Sequence, residues 1–349
     1  MKKMFALLLA LVMVLSLAAC ASSQPATTDA AASTETAETT ETTEPAAEES
    51  AEAPAESGKT YTVGVCQLVQ HEALDAATQG FIDALKEELG DAVTVDVQNA
   101  SGDSVNCGTI VNGFVSKGVD LIMANATPAL TAAVSATADI PILGTSITAY
   151  GVALDIDDFN GTVGGNVSGT SDLADLQAQA QMILDWFPET KTVGLLFCSA
   201  EPNSRYQIDE VRKALEAQGV TCEEFAFTDS NDVSSVTQKA ADFSDVVYIP
   251  TDNTAASNTE AIANVLIPAG VPAICGEEGL CRGCGVATLS ISYYDLGVTT
   301  GKMAAKILKG EADISTMPVE YTDATPKYNA SVCEQLGITP LDGYEAIDG

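Results

Sequence analysis

Basic side chains are scarce in this chain. Its 349 residues carry 15 lysines and arginines against 49 aspartates and glutamates, a formal net charge of −34. Only three arginines occur, Arg205, Arg212 and Arg282, and no basic cluster surrounds them. Nucleic-acid binding runs on the neutralisation of phosphates, so this composition argues against it, and equally against direct adhesion to anionic lipid. Histidine is scarcer still: His71 stands alone. One imidazole leaves little room for a Ser-His-Asp triad, and no GxSxG elbow is present. A carboxylate pair such as Asp252 with Glu277 is compatible with glycosidase chemistry only at a suitable separation. No catalytic residue is assigned, and the chain is not expected to be an enzyme. Strong acidity is read as a solubility feature.

Long apolar runs are also missing, except at the start. Lys2 and Lys3 precede an apolar stretch from Phe5 to Leu15, followed by Leu17-Ala18-Ala19-Cys20. The run is shorter than the roughly 20 residues a membrane-spanning helix needs. It has the form of a lipoprotein signal peptide over residues 1–19, with Cys20 as the lipidation site and new N-terminus. Residues 20–58 are rich in Ala, Thr, Ser, Glu and Pro, and hold nine acids and no base. Such a segment cannot bury enough surface to order itself and is predicted to be an extended tether. The protein is therefore expected outside the cytoplasmic membrane, held to it by lipid alone.

Nine cysteines are present, eight besides Cys20. Cys66, Cys198 and Cys275 sit in apolar strand-like runs and read as small buried hydrophobes. Cys281 and Cys284 form a CxxC without a second pair or a histidine nearby. That is a weak zinc signal and predicts a Gly-rich loop with free thiols or a local disulfide. No metal and no cofactor are predicted.

From residue 59 onward the chain alternates strand and helix. Predicted strands are Tyr61–Val69, Val93–Gln98, Val119–Ala124 and Ile140–Gly144, separated by helices over Ala73–Leu89, Cys107–Lys117 and Pro128–Thr137. The pattern restarts with a helix over Ala174–Phe187. Strands Thr192–Cys198, Thr221–Phe227, Asp245–Ile249 and Val271–Cys275 follow, with helices Ser204–Gln218, Val233–Ala241 and Asn258–Ala269 between them. The tail adds strand Val286–Tyr293, helix Leu296–Lys309 and a short strand at Val319–Tyr321. Strands separated by helices imply parallel sheets, and this length exceeds what a single core usually fills, about 250 residues. The fold class is α/β with two doubly wound parallel-sheet lobes. Three crossovers are expected near 148, 280 and 312, giving lobes of 59–148 plus 280–311 and 149–279 plus 312–349.

Ligands of open α/β sheets sit at the carboxyl ends of strands, and here those ends are polar. Gln67 to Glu72, Asn125 to Pro128, Thr145-Ser146, Gly169 to Asp172, Ser199 to Ser204, Pro250 to Thr254 and Gly276 to Gly279 each lead toward a helix. Any one of them is most simply a helix cap. Together they predict a cleft of hydroxyls, amides and carboxylates with several helix N-termini facing in. The N-termini suit a carboxylate and the acids suit an ammonium, which points to a zwitterion such as an amino acid. His71 is balanced between cleft contact and capping.

The segments GVCQLVQHEALDAATQGFIDAL, ANATPAL, GTSD, SAEPNS, PTDNTAAS, GEEG and SISYYDLG, in this order across residues 60–349, resemble the substrate-binding lipoproteins of ABC importers, in the branch that binds tryptophan or tyrosine. The resemblance implies a type I periplasmic-binding fold and closure of two lobes on a small ligand. It also implies delivery to an ABC permease and its ATPase. The ligand contacts it implies are Gln67 and His71, Asn125 and Thr127, Thr145 and Ser146. They continue with Thr170, Ser171 and Asp172, then Glu201 with Asn203 and Ser204, then Asp252, Asn253 and Thr254, and Glu277. The chain departs from the pattern after GEEG, at Leu280-Cys281-Arg282-Gly283-Cys284. Tyr150, Phe159, Tyr206, Tyr293 and Tyr294 are candidates to stack on an aromatic ligand, although aromatics of this kind more often belong to a core. A sensory lipoprotein serving a chemoreceptor or kinase would share the same fold and cleft.

Overall fold

The computed structural model describes residues 59–347. The signal peptide, Cys20 and the tether lie outside the described residues. In chain order, the first half runs β1 (Tyr61–Gln67), α1 (Glu72–Leu89), β2 (Val93–Asn99), α2 (Ser104–Lys117), β3 (Leu121–Asn125), α3 (Thr127–Ala136), β4 (Ile142–Ile147), α4 (Tyr150–Ala153) and β5 (Val167–Ser171). The second half runs α5 (Leu176–Trp186), β6 (Thr192–Cys198), α6 (Pro202–Glu216), β7 (Thr221–Phe227), α7 (Val233–Phe243), β8 (Val246–Ile249), α8 (Asn253–Ala256), α9 (Thr259–Ala269), β9 (Ala273–Cys275) and α10 (Glu278–Cys284). The tail holds β10 (Ala287–Ser290), α11 (Tyr293–Lys309), β11 (Glu320–Tyr321), β12 (Thr325–Tyr328), α12 (Ala330–Leu336) and β13 (Glu345–Ala346). Among the described residues no helix is long and apolar enough to cross a membrane.

Two sheets result. The first has the order β11-β5-β4-β3-β1-β2, the second β13-β12-β10-β9-β8-β6-β7. Both are parallel apart from the antiparallel pairing of β12 with β10. Each is covered on both faces, and the strand residues alternate accordingly. In the first lobe Leu121 and Met123 enter one core while Ile122 and Ala124 enter the other. In the second, Val193, Leu195 and Phe197 face one core and Leu196 and Cys198 the other.

Three crossovers connect the lobes, at different places from those expected. The expected first crossing near 148 moves to 172–175, because Val167–Ser171 pairs with β4 and extends the first sheet. The second moves from 280 to 291–292: β10 pairs with β9 and belongs to the second lobe, not the first. The third moves from 312 to 322–324, since β11 pairs with β5. The fifth core strand of the first lobe is thus β5, a polar VSGTS segment without the apolar run that betrays a buried strand. Helix α11 does join the first lobe. It packs on α1 so closely that a Cβ on Gly80 would lie 2.1 Å from the Tyr294 carbonyl, and one on Gly297 would lie 2.0 Å from that of Ala77. The CxxC is not in a loop: Cys281 and Cys284 lie on α10 and are buried. All eight described cysteines are free thiols.

Candidate functional site

In both sheets the strand order reverses beside the first strand of the lobe, between β1 and β3 and between β6 and β8. The carboxyl ends at such a switch point open a crevice. Here the two crevices face each other around a small cavity of about 10 Å³, room for about one water. His71, Leu74, Ser146, Thr148, Asp172 and Tyr293 line it from the first lobe and the crossovers. Asn203, Thr251, Asp252, Asn253, Ala256 and Glu277 line it from the second. The lobes touch directly, with His71 Nε2 3.3 Å from Asn253 Oδ1.

Three of the lining residues carry a buried side-chain atom with no hydrogen-bond partner among the described residues: Ser146 Oγ, Asp172 Oδ1 and Asn203 Oδ1. Buried polar atoms are almost always partnered, so these three are available to a polar ligand. Asp172 and Asn203 offer acceptors; the hydroxyl of Ser146 can accept or donate. Asp172 is 5% exposed. Its other oxygen accepts the Tyr293 hydroxyl at 2.9 Å. Burial pushes the Asp172 carboxyl up, against the pull of that hydroxyl. Ser146 has φ +56°, in a region that side chains with a Cβ rarely adopt.

The second lobe's carboxylates are in a different condition. Glu201 Oε1 accepts the amide and hydroxyl of Thr254, each at 2.8 Å. Its Oε2 accepts the amide of Asn253 at 3.0 Å, the Asn253 side chain at 2.6 Å and that of Asn203 at 3.2 Å. Asp252 Oδ1 caps α8 through the Ala255 amide at 2.8 Å, and Oδ2 accepts the Cys198 amide at 2.6 Å. Glu277 caps α10 through Gly279 and Leu280. Burial, reinforced by the charge of Glu201, pushes Asp252 up. Burial pushes Glu277 up to about 7 against its two amide bonds. His71 is lowered by burial, although its bond to Asn253 acts the other way.

The expected contacts therefore divide. His71, Ser146, Asp172, Asn203, Asp252, Asn253 and Glu277 reach the cavity. Gln67, Asn125, Thr127, Thr145, Thr170, Ser171, Glu201, Ser204 and Thr254 do not line it. Gln67 joins β1 to α1, donating to Asp75 at 2.6 Å and accepting from Thr78 at 2.7 Å. Asn125 donates to the Leu74 carbonyl at 2.8 Å. Thr145, Thr170 and Thr300 form a buried hydroxyl chain with spacings of 3.1 and 2.8 Å. Ser171 donates to the Thr148 carbonyl at 3.0 Å. Thr127 is the buried first residue of α3, and Ser204 is buried on α6. Glu201 and Thr254 reach instead the mouth of the cleft beside Asn253.

Thr148, Thr251, Leu74 and Ala256 were not singled out in sequence. Thr251 lies within the polar PTDN segment and Thr148 just past β4, so both carried a signal; Leu74 and Ala256 look like any other core-facing residue. Of the aromatic candidates only Tyr293 lines the cavity. Tyr150 is buried in the first lobe, stacked on Phe159 at 6.3 Å. Tyr206 is partly exposed on α6, and Tyr294 is exposed and donates to Asp83.

The family model for ABC transporter substrate binding proteins matches residues 62–343. A tyrosine-binding protein of Clostridioides difficile is 33% identical over 276 residues, 77% of this chain and 79% of that protein. Among solved structures, an ABC domain in complex with L-Trp from Streptococcus pneumoniae is 32% identical with a TM-score of 0.78, covering 82% of this chain and 100% of that one. The ligand-free, open structure of a substrate-binding protein with adhesive properties from Clostridium difficile is also 32% identical. Its TM-score is 0.63, over 83% of this chain and 99% of that one. At equal identity the TM-score is higher on the L-Trp complex than on the ligand-free, open structure.

Proposed function

The chain belongs to the ABC transporter substrate-binding proteins, and from that premise we propose that it captures an aromatic amino acid between its lobes and delivers it to a membrane permease. Its fold is that of the type I periplasmic binding proteins. One observation supports the ligand class most directly: the unpartnered Ser146 Oγ, Asp172 Oδ1 and Asn203 Oδ1 belong to residues that line one cavity together with Tyr293, Leu74 and Ala256. A primary ammonium has three donors, matching three acceptors of which one is a carboxylate. Tyr293, Leu74 and Ala256 supply apolar surface for a side chain. The relatives named for tyrosine and complexed with L-Trp favour an aromatic one. Closure supplies the affinity, since each lobe contributes part of the contacts.

Binding, not catalysis, is the role. We place the protein outside the cytoplasmic membrane, anchored through a lipid on Cys20, where a permease coupled to its ATPase receives the ligand. Isothermal calorimetry of the purified protein against the twenty amino acids tests the ligand. Heat with tryptophan, tyrosine or phenylalanine alone supports the proposal. Binding confined to another class, or none, overturns it.

A further inference from the structure

We propose that Arg282 and Glu72 form an ion-pair latch across the mouth of the cleft, and that this latch sets how strongly the closed arrangement is favoured. The proposal rests on the reading of the cleft as the ligand site. Glu72 opens α1 in the first lobe; Arg282 lies on α10 in the second. Arg282 Nε is 3.1 Å from both carboxylate oxygens of Glu72. Its Nη2 donates to Glu278 at 2.9 Å, and the other oxygen of Glu278 accepts Lys327 at 2.5 Å. Glu278 and Lys327 belong to the second lobe. The guanidinium is therefore oriented before Glu72 arrives, which limits the side-chain entropy lost on pairing.

Both latch residues are coupled to the cavity without lining it. Glu72 follows His71 directly, and Arg282 rides on the helix capped by Glu277; His71 and Glu277 do line the cavity. A ligand that draws these two together brings the latch within reach. Glu72 and Arg282 themselves flank the outer mouth, beside Gln70 and Thr259. They are positioning residues, acting on the equilibrium between open and closed lobes.

Side-chain exposure is 34% for Arg282 and 53% for Glu72, so the pair is worth what an exposed ion pair is worth, about fivefold at most in an equilibrium constant. Apparent affinity scales with the population of the competent state, and salt screens the pair. The test is a double-mutant cycle with Glu72→Gln, Arg282→Gln and the double variant in the purified protein. L-tryptophan and L-tyrosine affinities and dissociation rates are read at low and high salt. Each single change is expected to weaken binding by about two- to fivefold, mainly through faster dissociation, with the double no weaker than either single. Arg282→Lys is expected to restore part of the loss, and ligand-free melting temperatures to stay together. Unchanged affinity in the singles, or losses that multiply in the double, overturns the latch. If neither amino acid binds the parent protein, the ligand reading fails, and the latch is judged by small-angle scattering of the ligand-free proteins. Larger radii of gyration in the variants support it, and equal radii overturn it.

Discussion

The two lobes share a strand order and differ in how they present it to the cleft. On the first lobe and its crossovers, polar atoms are left without partners and the backbone is strained: Ser146 Oγ and Asp172 Oδ1 are orphaned, and Ser146 has a positive φ. On the second lobe, the carboxylates of Glu201, Asp252 and Glu277 are absorbed by helix N-termini. Among the described second-lobe residues that line the cavity, only Asn203 keeps an orphaned atom. The contrast teaches that a row of acids at strand ends holds two populations. One set builds the rim, and the other is held in reserve for a partner that the chain itself does not supply.

The contrast is broken most severely at Glu201. Replacing it with Ala removes the acceptor of two backbone amides and three side chains beside α8, so Glu201→Ala is expected to lose about 4 kcal/mol of unfolding free energy in urea titration. Asp252→Ala is expected to behave alike, because its carboxylate ties β6 to α8; a ligand-binding defect with an intact fold is not the expected phenotype. Glu277 sharpens the same point through pH. Its folded-state value near 7 stands above the ordinary 4.5, so ionisation opposes folding. Stability from this group is full below pH 4.5 and is lost as pH rises toward 7, by about 3 kcal/mol. Unfolding at pH 5 and pH 7.5 in the parent and in Glu277→Gln measures this; the variant should lose most of the slope.

On the other side of the comparison, Asp172→Asn is expected to leave stability unchanged or slightly raised, since it neutralises a buried carboxyl with an orphaned oxygen. Its ligand affinity should fall by about 30-fold or more, the cost of removing one partner of a buried charge pair. Calorimetry beside thermal melting separates the two effects. Binding should also weaken as the pH is lowered toward the carboxylate range, because the raised Asp172 takes up its proton earlier than an exposed aspartate. The smallest effect is at Ser146. Ser146→Gly relieves a left-handed backbone and should stabilise the ligand-free protein by about 1 kcal/mol while weakening ligand binding.

The sequence carried the alternation of the cores, the two-lobe division and seven cavity residues, because burial on both faces of a parallel sheet writes itself as apolar runs and helix starts write themselves as caps. It did not carry β5, whose VSGTS is polar and small, and missing that strand displaced the first two crossovers. Nor could it separate Asp172 from Asp252 or Glu277. All are acids at the ends of strands, opening onto a helix or loop, and their local signals are the same. Composition and period are properties of neighbours along the chain, and they determined the fold class and the character of the cleft. Which oxygens remain unpartnered depends on where amides more than fifty residues away come to rest, as Cys198 does against Asp252 and Thr254 against Glu201. Tertiary packing alone decided that, and with it which acids hold the protein together and which are left to hold a ligand.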